Sequence, residues 1–166
     1  NHIAKYLSQR LTVNLGLRVH SMRRDHEKWC LEDDLGKFIG KFDWVISTIP
    51  AQQASDLLPS SLPFYSKISE VKMKGCFAIM LGFENALPLE FDAASITGED
   101  VGWISVNSSK PSRNDTYCLL VHSTNKWADE HIDDDRDQVA KHLCNQTSEI
   151  IGHDLNNASH KSIHGW

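Results

Sequence analysis

The sequence predicts an α+β fold with two sheets, and three observations carry that reading. Short alternating runs, "LRVHSMR" and "KWCLE", occupy the segment before residue 34. "MKGCFAIMLGFE" is apolar on both alternations, Phe77, Ile79, Leu81 and Phe83 against Cys76, Ala78 and Met80, as expected of a strand central to a second, mixed sheet. After "DDDRD", Val139, Leu143 and Ile150 form one helical stripe with Ala140, Cys144, Thr147 and Ile151 beside it.

Taken in order, Ile3, Leu7, Leu11 and Leu15 recur every four residues, which predicts an amphipathic helix stopped near Gly16. The two alternating strands follow, separated by "RDHE", and a turn falls around "DDLGK". "FDWVISTIPAQQASDLLP" then reads as a third strand, nearly continuous in apolar character as in a parallel sheet covered on both faces, ending at Ile49-Pro50 and restarting as a helix. Beyond Pro59, "VGWISVNS" and "YCLLVHST" read as further strands joined by the polar loop "SKPSRND". The division is therefore placed at residues 1–59 and 60–166.

Hydrophobic residues make up 40% and charged residues 23%, an ordinary globular balance. The net charge of −5 comes without a basic stripe, so neither nucleic acid nor an acidic membrane surface is the expected partner, and a small molecule is. Cys30, Cys76, Cys118 and Cys144 lack metal-site spacing and sit in apolar or amphipathic segments, as reduced core thiols do. No apolar run approaches the roughly 18 residues of a membrane span, and no leader pattern is visible. A cytoplasmic location is the expectation.

His122 lies within "CLLVHST" on the same alternation as Cys118 and Leu120, which presents a titratable imidazole from an apolar surface. The alternative is a core histidine satisfied by a backbone carbonyl. Trp103, Ser105 and Asn107 share one strand face, and Lys110 and Arg113 follow in the loop, a combination suited to an aromatic or anionic ligand or, more plainly, a solvated turn at Pro111. The acidic run "DEHIDDDRD" lacks the glycine and final glutamate of a calcium loop and reads as a helix cap; no metal ligand is assigned. There is no GxGxxG, P-loop, nucleophile elbow or HExxH.

The order of the pieces, "FDWVISTIPAQQASDLLP", "CFAIMLGFE", "GWISVNSSKPSR", "LLVHSTNKWADEHID" and a closing "HGW", resembles the renalase-like branch of the flavin-containing amine oxidase superfamily. The resemblance covers nearly the whole chain, with "HGW" departing from the more usual His-Arg-Trp. It implies a fragment of a two-domain FAD-dependent oxidoreductase, with a GxGxxG half before Asn1 and a last flavin-contacting segment after Trp166. Residues 1–59 would be the later part of the FAD domain and 60–166 an incomplete substrate domain. Val19 and the crossing at Ile49, Pro50 and Ala51 would lie against the FAD. His122, Asn107 and Lys110 would be the polar residues around substrate or flavin, with Trp103, Trp127 and Trp166 as apolar walls.

The reaction so implied is hydride removal from an amine or dihydronicotinamide-type substrate to flavin. The fragment itself is expected to lack FAD, to be inactive and to self-associate. A non-catalytic α+β binding module is the competing reading, and a metal-dependent hydrolase a third.

Overall fold

A computed structural model describes residues 2–113 and 116–166; Asn1 and, in the "SKPSRND" loop, Asn114 and Asp115 lie outside the described residues. The chain divides into two compact units, residues 1–73 and 74–166.

In the first unit the helix α1 spans only His2–Ser8, and Leu11 and Leu15 lie beyond it and are exposed. The four-residue period was expected to carry the helix to Gly16. Few buried contacts reward this segment, and a short helix without a packed face gains little in water.

A three-stranded meander follows: β1 (Val19–Asp25), β2 (Lys28–Asp33) and β3 (Phe38–Phe42), antiparallel in the order β1-β2-β3. Between β1 and β2 the chain turns through His26, which is left-handed at φ 55. Between β2 and β3, the Asp33 carboxylate accepts from the N–H groups of Leu35 (3.0 Å) and Lys37 (2.8 Å), and Gly36 supplies the φ of 74 that closes the turn. The turn at "DDLGK" is thus as the sequence predicted, but the strand after it is "FIGKF". "DWVISTI" is irregular, with Trp44 and Ile46 strongly exposed. A strand exists only by pairing, and none of the turn and loop backbone bonds of the described residues involves residues 44–49.

Pro50 precedes α2 (Ala51–Leu57), where its fixed φ of −54 is compatible with helix initiation and its carbonyl accepts from Ala54. The helix α3 (Tyr65–Ser69) packs back on α2, and the Tyr65 hydroxyl donates to the Ser55 carbonyl at 3.1 Å. This return is why the units part at Met73/Lys74 rather than near Pro59.

The second unit is a five-stranded sheet in the order β5-β6-β7-β4-β8, formed by β4 (Phe77–Phe83), β5 (Ala93–Ser95), β6 (Val101–Val106), β7 (Tyr117–Ser123) and β8 (His160–Gly165). The class is α+β, as expected, but all its pairings are antiparallel rather than mixed. β4 is interior, paired to β7 and β8, while β7 holds the middle. The helices α4 (Asn125–His131) and α5 (Arg136–Ile151) cover one face. Phe77, Ile79, Leu81, Ile104, Leu119 and Val121 meet Val139, Leu143 and Cys144 there, each almost wholly buried. Thr124 and Asp135 cap the two helices, Asp135 accepting from the N–H groups of Asp137 and Gln138 at 3.1 Å each. The acidic run therefore ends as a helix cap, and Gly152 closes α5 at φ 70.

Candidate functional site

Strand β6 does not alternate simply. Val101 opposes Ser123 and Trp103 opposes His122, so Gly102 is an extra residue, a β-bulge. Val101 and Ile104 both reach the core at full burial, although three residues apart. Trp103 and Ser105 are thereby turned onto the face away from α5.

Directly opposed residues in a sheet share a face, so the register assembles that surface from four strands. His122 opposes Trp103 on one side and Ala78 on the other, and Ala78 in turn opposes His164. One row thus reads Trp103, His122, Ala78, His164, with a methyl group between two imidazoles. In the next row Ser105 opposes Leu120, which opposes Met80. His122 shares its face with Cys118 and Leu120, as the alternation predicted.

Asn107 begins the 3₁₀ turn Asn107–Ser109 at the end of β6. The Lys110 ammonium donates to the Asn107 side-chain carbonyl at 2.9 Å. His122 is half-buried, and its pKa lies below the ordinary imidazole value, first because burial disfavours the cation and then because of the positive charge of Lys110. Lys110 follows the 3₁₀ turn at the end of β6, and so stands at the edge of this face. Burial has the opposite effect on two thiols: it pushes up Cys76, and it pushes up Cys144 against a smaller opposing influence of Lys161. All four cysteines are free.

Among the sequence candidates, His122, Trp103, Asn107 and Lys110 are brought together on or at the edge of this face. Trp166 lies beyond β8, exposed, its ring 6.4 Å from that of His164. Trp127 lies apart from these candidates. It belongs to the helical layer on the other side of the sheet, stacked on His131 at 4.4 Å and His142 at 5.0 Å, with its edge on Phe77 at 5.8 Å. His131 and His142 are held in turn by Asp134 (2.6 Å) and Asp100 (2.8 Å). The apolar spacing on α4 places this indole inward, which its residue type alone did not reveal.

His164 escaped the sequence reading, and Ser105 was placed on this face without a role of its own. His164 was detectable from the alternation of His160, Ser162 and His164, had the closing segment been read as a strand. Ser105 is 4% exposed, and its hydroxyl has no hydrogen-bond partner among the described residues.

In the first unit, Val19 and Ile49 line one cleft of about 580 Å³, together with Leu31, Val45 and the segment through Thr48. Pro50 and Ala51 adjoin it at the start of α2. Its walls are mostly apolar and its backbone groups from 44 to 49 are uncommitted among the described residues, the combination a flat heteroaromatic group needs for edge hydrogen bonds. Among the described residues no group of three or more His, Cys, Asp or Glu side chains could hold a metal ion, and no helix is long and apolar enough to cross a membrane.

The second unit carries a sheet face bearing polar residues, and the first unit an apolar cleft. The family described as flavin containing amine oxidoreductase matches residues 1–166, and the chain belongs to that family. Its fold is similar to that of a putative protoporphyrinogen oxidase from Exiguobacterium sp. 255-15, with a TM-score of 0.73 and 17% identity over 99% of this chain and 38% of that one. A putrescine oxidase solved with putrescine bound gives a TM-score of 0.68 and 12% identity, over 97% of this chain and 36% of that one. Cyclohexylamine oxidase from Brevibacterium oxydans IH-35A gives 0.68 and 14%, over 92% and 34%. The chain thus spans between a third and two fifths of these oxidases.

Proposed function

We propose that this chain is the middle of an FAD-dependent oxidoreductase of the renalase-like branch, acting on a small molecule with a hydride beside nitrogen. The observation that carries the reading is the row Trp103, His122, Ala78, His164 on the sheet face away from α4 and α5, in a chain matched along its whole length by a flavin-containing family. Bound flavin would supply the hydride acceptor. Val19 and the backbone at Ile49, with Pro50 and Ala51 beside them, would hold its adenine end, since the cleft they form offers apolar walls and free main-chain groups.

The remaining work falls to side chains of the second unit. Trp103 and Trp166 wall the substrate. Ala78 leaves room for it between the two imidazoles. Lowered in pKa, His122 is neutral at physiological pH, so it accepts a hydrogen bond or a proton from a substrate N–H without first losing one of its own. Asn107 fixes the ammonium of Lys110 in position.

The visible spectrum of the full-length polypeptide tests the reading. We expect the absorbance of bound oxidised flavin, bleached under anaerobic conditions by a substrate. A full-length product that binds no flavin would refute the assignment.

A further inference from the structure

The charge of the open face constrains what it can bind. The three cross-strand rows running through His122, Leu120 and Cys118 carry histidines, serines and apolar residues, and no carboxylate. Lys110 is the cation at its edge, and it has no carboxylate partner among the described residues: its partner is the neutral Asn107. Among the described residues of these rows a substrate ammonium would meet no counter-charge, and Lys110 would repel it. Removing a cation from water without pairing it is unfavourable.

A second observation points the same way. The buried, unpartnered hydroxyl of Ser105 lies on this face one row from His122, and a buried polar group without a partner signals a missing ligand or water atom. A hydroxyl and an ammonium both donate, and a shared acceptor satisfies both. Trp103, 40% exposed beside His122, adds a flat apolar wall.

We propose that this face takes a substrate with a flat ring against Trp103 and an oxyanion, carboxylate or phosphate, held by Lys110 and Ser105, rather than a simple cationic amine. The inference rests on this face being the substrate site of the proposed oxidoreductase. It names the substrate class by charge: the reacting C–N centre is uncharged, and the anionic group serves for anchorage.

Four matched aryl probes test it on the 166-residue chain: benzoate, phenylphosphate, benzyl alcohol and benzylamine. Carbon–proton NMR of the His122 imidazole and the Trp103 indole reports binding at this face without any flavin. Benzoate and phenylphosphate should shift both signals saturably, with affinities roughly tenfold or more above benzylamine, the size of one charge-assisted hydrogen bond. Lys110→Gln should erase that preference, and Lys110→Arg should keep it. Lys110 is exposed, so an unchanged spectrum elsewhere confirms the fold of each variant. Benzylamine binding as tightly as the anions, or anion binding indifferent to Lys110→Gln, overturns the proposal. Anion preference in a protein whose full-length form carries no flavin upholds this inference and removes the oxidoreductase reading. A flavoprotein whose face prefers benzylamine does the reverse.

Discussion

At the scale of single residues, His122 joins geometry to chemistry most directly. Its pKa is lowered in the folded state, chiefly by burial, so the unfolded chain binds its proton more readily. The stability it contributes is therefore complete above the ordinary value of about 6.5 and is lost as pH falls through the lower folded value. We expect His122→Gln to flatten the acid limb of stability below about pH 6.5, seen as urea midpoints that vary less with pH than in the parent sequence. In the flavin-loaded full-length protein, His122→Ala should slow flavin reduction roughly ten- to ten-thousand-fold if the imidazole takes a proton in the rate-determining step. Stopped-flow reduction beside a melting curve checks this. An unaltered rate with a lowered melting point would make His122 a packing residue.

Gly75 shows what a residue-level reading of sequence misses. Its N–H donates to Asp129 at 2.6 Å and its carbonyl accepts from the Asn125 amide at 2.7 Å, both from α4. That N–H, followed by Lys74, holds the Asp129 carboxyl below the usual aspartate value. A methyl group on Gly75 would lie 3.0 Å from the Asp129 carboxylate and 3.2 Å from α4 backbone. Close approach, not turn geometry, fixes glycine there, and only the partner segment some fifty residues later reveals it.

Among elements, those defined by local chemistry were legible: the Asp33 turn, the Asp135 cap with the α5 stripe, and the alternation of β7. Elements defined by distant partners were not. "DWVISTI" has the composition of a buried strand but no paired neighbour, whereas "FIGKF" becomes β3 because β2 lies beside it. In the same way, the alternation of β7 predicted which residues accompany His122, but His164 joins the row only through its pairing across β4. Two substitutions separate the layers of the second unit. Asp135→Ala should cost about 0.5–2 kcal/mol by uncapping α5, read from denaturant midpoints. Trp127→Leu should lower the melting temperature by removing the stacks on His131 and His142, while leaving probe binding at Trp103 unchanged. A change in that binding would return Trp127 to the site.

On the scale of the whole molecule, the two units differ in how much they bury. The second holds a continuous core from Phe77 to Leu155, while the buried apolar residues of the first are Met22, Cys30, Leu31 and Ala54 among those described. The first also exposes Leu15, Leu35, Trp44 and Ile46 almost fully. Apolar surface on that scale seeks cover. We expect residues 74–166 alone to unfold cooperatively and residues 1–73 alone not to, by urea titration of circular dichroism. The intact chain should self-associate, with light scattering rising above the monomer mass as concentration increases, and should purify without stoichiometric flavin absorbance.

The bulge at Gly102 gives the sheet two phases. Inward from it, β6 keeps time with the core; outward, the next residues are shifted by one, and an indole and a hydroxyl face away from the helices where an unbroken alternation would have driven them into the packing. Deleting Gly102 would leave a single phase with every face as it is, Val101 and Ile104 inward and Trp103 and Ser105 outward; pairing Gly102 in register instead would send Trp103 and Ser105 towards α5 and Ile104 into the open. Looping out one residue that carries no side chain is thus a switch of polarity for the strand: it decides which letters of "WISV" the interior reads and which are left for a ligand.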